Sequence, residues 1–181
     1  MKYNPEIHHR HSLRLRNYDY SKNGKYFVTI VVKNRLLLFG NVLNGQMNLN
    51  DAGKMIENTW NNLPKYIPGI KIDCGIVMPN HFHGIIILNN KEIDKRLSLP
   101  NVMERFKSFT THEYIDGVRN FNWEPFQAKL WQRNYYERII RDKRELNWLK
   151  KYIKENPGKW DQDEENPMTN KGAEMKIKGQ K

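Results

Sequence analysis

The chain has 181 residues, enough for one ordinary domain and too few for a multidomain machine. Lysine and arginine number 31 against 20 acidic residues, a formal charge of +11, so a polyanion, nucleic acid first, is the expected partner. Cys74 is the lone cysteine, which excludes an internal disulfide and a cysteine-rich zinc site; no apolar run exceeds the four residues seen at 85–88, far short of the roughly 20 that cross a bilayer.

Residues 1–14 are polar and basic, with His8, His9 and His11 beside Arg10 and Arg14, and read as a flexible basic arm or one that touches phosphates. With no apolar secretory leader there, residence in the cytoplasm, at the nucleoid through DNA, is expected. The β-branched and aromatic run at 25–32 predicts a central strand. Gly40 and Gly45 punctuate the next stretch. Asn50-Asp51 then offers a cap for a helix over 51–65, where Met55, Ile56, Trp60 and Leu63 recur near the helical period and Pro64 marks the end.

Residues 70–77 and 81–88 are strand-like runs joined by Met78-Pro79-Asn80, a tight antiparallel reversal. Val102, Phe106, Phe109 and Tyr114 predict a second helix over 99–115. Residues 131–140 read as a fourth strand. Asp142 can cap a third helix over 143–156 that Pro157-Gly158 ends. Beyond Trp160 almost no apolar residue remains, which predicts a disordered charged tail over 161–181. The order is strand, helix, strand, strand, helix, strand, helix. That is an α+β, ferredoxin-like antiparallel sheet with helices on one face, plus a C-terminal helix carrying Tyr152. No Gly-rich phosphate loop is present, which disfavours a P-loop enzyme.

Because strand side chains alternate, His81 and His83 point one way and Phe82 the other. Neutral imidazoles at that spacing are either two ordinary histidines or half of a divalent-metal site, and mounting on a rigid hairpin favours the site. At about 100° per residue, Leu146, Leu149, Tyr152, Ile153 and Asn156 share one stripe of the third helix. Tyr152 is then a packing residue or a nucleophile. Asn156 either closes the helix or lies beside the phenol as a metal ligand. A tyrosine, with an ordinary pKa of about 10, needs activation or a polarised target, and a divalent cation on a phosphate oxygen supplies the latter. The phenolate would displace a 3′ oxygen, and a waiting 3′-hydroxyl could reverse the step without a nucleotide triphosphate.

Met78-Pro79-Asn80-His81-Phe82-His83 resembles the His-hydrophobe-His motif of HUH single-tyrosine transposases. Tyr152-Ile153-Lys154-Glu155-Asn156-Pro157 resembles the Tyr-Ile-x-x-Asn-Pro stretch of their REP-associated branch, with the two motifs in the expected order. The likeness extends to residues 26–29 and 131–137, so a catalytic domain over 15–160 is expected. It implies that His81 and His83 bind magnesium or manganese with Asn156 as third ligand, and that Tyr152 forms a 5′-phosphotyrosine link. It also implies a substrate of single-stranded DNA near REP-like hairpins.

Tyr114, Tyr135 and Tyr136 are rival nucleophiles, but none has a polar partner one turn on; Glu155 reads as a solvated charge or as an aid to the metal. Arg105, Lys107, Arg133, Arg138 and Arg141 are candidate phosphate contacts, with Trp131 and Tyr135 as stacking platforms for unpaired bases. Two other readings stay open: a non-catalytic nucleic-acid platform of the RRM kind, and a replication-initiator or relaxase nickase. Homodimerisation, and whether Tyr152 serves its own protomer, are also open.

Overall fold

The computed structural model describes residues 18–90 and 97–169. The expected arm at 1–14 and the last residues of the expected tail, 170–181, lie outside them. Strand β1 (Gly24–Val31) leads into a short 3-10 turn and the hairpin β2 (Gly40–Leu43) and β3 (Gln46–Leu49). Helix α1 (Asp51–Tyr66) follows, then β4 (Ile70–Val77), β5 (His81–Leu88), α2 (Leu99–Phe121), β6 (Tyr136–Ile140) and α3 (Lys143–Glu155). The four long strands form one sheet in the order β4-β5-β1-β6, and each neighbouring pair is antiparallel. This is the ferredoxin-like arrangement read from the sequence. Among the described residues no helix is long and apolar enough to cross a membrane.

The sheet is covered on both faces, and alternation along the strands decides what goes where. Tyr26, Val28 and Ile30 of β1 and Phe82 and Ile86 of β5 meet Trp60 of α1 and Phe106 of α2 in the larger core. Phe27 and Ile85, one position out of step, meet Leu146, Leu149 and Ile153 of α3 on the other face. The helices start where short polar side chains can take the first free amides. The Asn50 side chain accepts from the Gly53 amide at 2.8 Å, Ser98 and Asn101 form a reciprocal capping box, and Asp142 accepts from the Glu145 amide at 2.8 Å.

A Cβ on Gly84 would stand 2.4 Å from Trp60 Cζ2. Its cross-strand partner Gly75 would likewise put a Cβ 2.8 Å from Trp60 Nε1. The indole therefore packs closely against two paired glycines, of which Gly84 is next along β5 from His83.

Four features depart from the sequence reading. The hairpin β2–β3 was not foreseen, although Asn44-Gly45 turns it with positive φ at both residues (51° and 72°), the usual signal for a two-residue hairpin. Helix α2 runs on to Phe121, where Asn122 stops it in the left-handed conformation. The last strand begins at Tyr136, and Trp131 contributes only an isolated bridge to Val32. The tail expected from residue 161 is instead built against the body as far as residue 169. Its polar side chains do the work that apolar packing does elsewhere: Arg35 Nε meets Glu165 Oε2 at 2.6 Å, and Asn166 Nδ2 donates to the Trp160 carbonyl at 3.0 Å.

Candidate metal and nucleophile site

His81 and His83 open β5 on the α3 face and are buried, at 0% and 4% exposure. Their Nε2 atoms converge to 3.1 Å. The outer nitrogens are held by oxygens: His81 Nδ1 lies 2.9 Å from Asn80 Oδ1, and His83 Nδ1 lies 2.8 Å from Thr29 Oγ1 across the strand pair. Asn80 Oδ1 can only accept, so His81 carries its proton on Nδ1 and offers the Nε2 lone pair inward. Burial holds His81 at about 4 and, helped by its neighbour, His83 well below the ordinary imidazole value. Both rings are neutral at neutral pH, the form that ligates metals.

Asn156 closes α3 and is buried at 2% exposure, with its amide beside His81, Tyr152 and Asp163. Its Oδ1 has no hydrogen-bond partner. An amide oxygen sealed from water carries an unmet demand that a cation would satisfy. A further donor comes from the segment read as tail: Asp163 Oδ2 sits 3.9 Å from His81 Nε2, and the donor atoms of His81, His83 and Asp163 all lie within 4.8 Å of one another. Burial raises the Asp163 carboxyl, while the Glu165 amide, donating at 2.7 Å, and Asn156 favour its ionised form. Two imidazoles, a carboxylate and an amide oxygen fit a divalent ion, since nitrogens 3.1 Å apart can share a centre about 2.1 Å from each.

Asn80 ties this set together. While Oδ1 holds His81, Nδ2 donates to the carbonyls of Glu165 at 2.7 Å and Arg35 at 3.1 Å, so one side chain fixes both the imidazole and the segment that brings Asp163.

Tyr152, half-buried on α3, puts its ring 5.3 Å from that of His83 at 69°. Phe27 flanks it edge-on at 6.0 Å, and Trp148, one turn earlier, stacks on it at 6.0 Å and 19°. Burial, then the negative charge of Asp163 and of Glu164 and Glu165, lifts its phenol above 10, with Asn156 pulling the other way. The resting phenol is protonated. A cleft of about 570 Å³ opens in front of it, bordered by Thr29, His83, Tyr136, Arg138 and Asp163.

The predicted ligands and nucleophile are thus brought together within one chain. The rival tyrosines are placed otherwise: Tyr114 is buried and its hydroxyl donates to the Glu124 carbonyl at 2.8 Å, Tyr135 packs against the larger core, and Tyr136 lies at the cleft rim. Glu155 meets Lys159 at 3.0 Å and Lys151 at 3.6 Å, as a solvated charge should.

Of the candidate DNA contacts, Arg138 borders the cleft and Arg141 lies just beyond it. Arg105 and Lys107 belong to α2, which packs on the opposite sheet face, and Lys107 Nζ donates to the carbonyls of Gln132 and Arg133 at 2.7 and 3.1 Å. Arg133 is exposed. Trp131 requires correction as a stacking platform. It is 4% exposed and its Nε1 donates to Thr110 Oγ1 at 2.9 Å, so no ring face is available to a base. Asp163, Thr29 and Trp148 were missed. For Trp148 the signal was present, since an indole off the apolar stripe of an amphipathic helix has to face solvent.

The family described as IS200-like transposases matches residues 20–156. An uncharacterized protein of Haemophilus influenzae is 39% identical over 174 residues, covering 90% of this chain and 96% of that protein. A second H. influenzae protein, provisionally described as a REP-associated tyrosine transposase, is 24% identical over 144 residues, 78% of this chain and 74% of the other. Among solved structures, that of a REP-associated tyrosine transposase bound to a REP hairpin shares the fold, with a TM-score of 0.56 and 23% identity over 81% of this chain and 73% of that one.

Proposed function

Because the chain belongs to the IS200-like transposase family of DNA-cleaving enzymes, we propose that it acts as a REP-associated tyrosine transposase, cutting and rejoining single-stranded DNA beside hairpins through Tyr152. The observation that carries this reading is the ring of Tyr152 lying 5.3 Å from that of His83, on the sheet face where two neutral imidazoles converge. The basic charge of the chain suits a DNA substrate. Hairpin DNA is what the similar solved protein holds, and the same class of ligand is proposed here.

In the cleavage step Tyr152 Oη attacks the phosphorus and the bond from phosphorus to the 3′ oxygen breaks. The phenolic proton passes to water and the departing 3′ oxygen takes one up. A 5′-phosphotyrosine and a free 3′-hydroxyl remain, and attack by a 3′-hydroxyl on the phosphotyrosine reverses the step. His81, His83 and Asp163, with Asn156 Oδ1, would hold Mg²⁺ or Mn²⁺, which supplies positive charge to a phosphate oxygen in the transition state. Thr29 and Asn80 keep the imidazoles turned inward, while Phe27 and Trp148 each pack against the Tyr152 ring.

The proposed ligands and Tyr152 lie near one another within one chain, so this reading calls for no homodimer. An RRM-type platform needs a free sheet face, and here α3 covers the face opposite α1 and α2. Incubation with labelled hairpin-flanked single strands and Mg²⁺ or Mn²⁺ should yield a protein–DNA adduct that survives denaturation. Tyr152→Phe should abolish it; an undiminished adduct in that variant would remove Tyr152 from the chemistry.

A further inference from the structure

Trp148 breaks the pattern of α3. The other large apolar residues of the helix, Leu146, Leu149 and Ile153, are buried against the sheet, whereas Trp148 is 56% exposed. An indole in water forgoes the burial that usually justifies so large a side chain. Its surroundings are also specific. One turn on lies Tyr152, with ring planes only 19° apart. The guanidinium of Arg138 stands 5.9 Å from the indole centroid. Together Trp148 and Arg138 form the wall between the Tyr152 cleft and a second basin of about 460 Å³, whose rim carries Arg141 and Arg144.

Charge in that basin is not balanced by its acids. Glu145 is occupied by Arg138 Nε at 2.6 Å and by the Arg141 amide at 2.9 Å. Asp142 is occupied in capping α3. Arg141 and Arg144 are exposed at the rim. A half-exposed indole that borders both the cleft before the proposed nucleophile and a basin carrying Arg141 and Arg144 has the chemistry that holds an unpaired nucleotide: base on the ring, phosphate on the guanidinium groups.

Resting on the proposed transposase reading, we infer that Trp148 is the stacking platform for an unpaired base next to the scissile phosphate, with Arg141 and Arg144 taking that nucleotide's phosphate. This places base recognition on the same helix as the nucleophile, so that seating the base also sets the distance from Tyr152 to the phosphorus.

The test uses the full chain carrying Tyr152→Phe, which cannot form the adduct, and fluorescent hairpin DNA with a single-stranded flank. An abasic site is moved along that flank one position at a time. Stacking on one aromatic ring predicts that one abasic position weakens binding roughly 5- to 150-fold. Adding Trp148→Ala should produce a similar loss on intact DNA and remove the effect of that abasic site, while Trp148→Phe should keep most of the affinity. Abasic penalties that persist undiminished beside Trp148→Ala, or intact-DNA affinity unchanged by Trp148→Ala, would overturn the inference. An adduct from wild-type protein together with persisting abasic penalties would overturn the platform alone. Coupling without any adduct would uphold the platform and overturn the catalytic reading. Trp148 lies outside both apolar cores, so its replacement should keep the far-ultraviolet circular dichroism spectrum and lower the melting temperature only slightly, through the lost contacts with Tyr152 and Arg138.

Discussion

Replacing Thr29 by valine tests whether the site depends on the atoms behind its ligands. The change keeps the shape of the side chain and removes one oxygen, which now lies 2.8 Å from His83 Nδ1. With His83 only 4% exposed, its Nδ1 would lose its hydrogen-bond partner in a nearly dry place, a loss of about 1–3 kcal/mol. Thr29 borders the cleft, however, and water can partly replace the hydroxyl, so the lower half of that range is expected. For a chain of this length that is a fall in Tm of about 2–8 °C. The larger consequence falls on the metal. Freed from the hydroxyl, the imidazole can turn or exchange tautomers, and loss of such an orienting contact typically weakens metal binding about 10- to 100-fold. Mn²⁺ titration by calorimetry, with Thr29→Ser as the control that restores the oxygen, reads this directly. A valine variant that binds Mn²⁺ as tightly as wild type, or a serine variant no better than valine, would refute the assignment of Thr29 as the group that orients His83.

Asp163→Asn keeps the size of the side chain but removes its charge, so Mn²⁺ affinity should fall by about an order of magnitude or more, and an unchanged affinity would take Asp163 out of the ligand set. For His81 the folded value of about 4 lies below the ordinary 6.5; its neutral form therefore stabilises the fold fully above pH 6.5, and that contribution fades as pH falls toward 4. Chelator-treated protein should lose about 3 kcal/mol over this interval from His81 alone, and urea midpoints that stay level between pH 6.5 and 4 would contradict it. Gly84→Ala drives a methyl to 2.4 Å from the Trp60 ring, which should cost about 1–3 kcal/mol of stability; an unchanged melting temperature would show that the indole is not pinned there.

What the sequence disclosed and what it hid divide along a physical line. Alternation placed His81 and His83 on one face, and the helical period placed Tyr152 and Asn156 on one stripe, because both were carried by apolar neighbours that sort themselves between water and core. Asp163 was invisible to the same reasoning. The segment bearing it is held by Asn80, Arg35 and Asn166 through hydrogen bonds and an ion pair, and such bonds leave no periodic trace in a polar sequence. Trp131 failed for the opposite reason. Its basic neighbours suggested a surface position, yet the indole turns inward to Thr110, and a single aromatic residue in an irregular segment carries no pattern from which its direction can be read. Asn44-Gly45 is a readable two-residue hairpin signal, but the strands it joins are only four residues long and carry little apolar alternation of their own.

Strand β5 carries imidazoles on one side and, on the other, a phenyl ring and a glycine that accepts an indole. A slip of one residue would exchange the two sides, sending the metal donors into hydrocarbon and Phe82 into the cleft. Neither register could then be half right. Inserting or deleting one amino acid between Asn80 and Gly84 should therefore abolish folding and chemistry together.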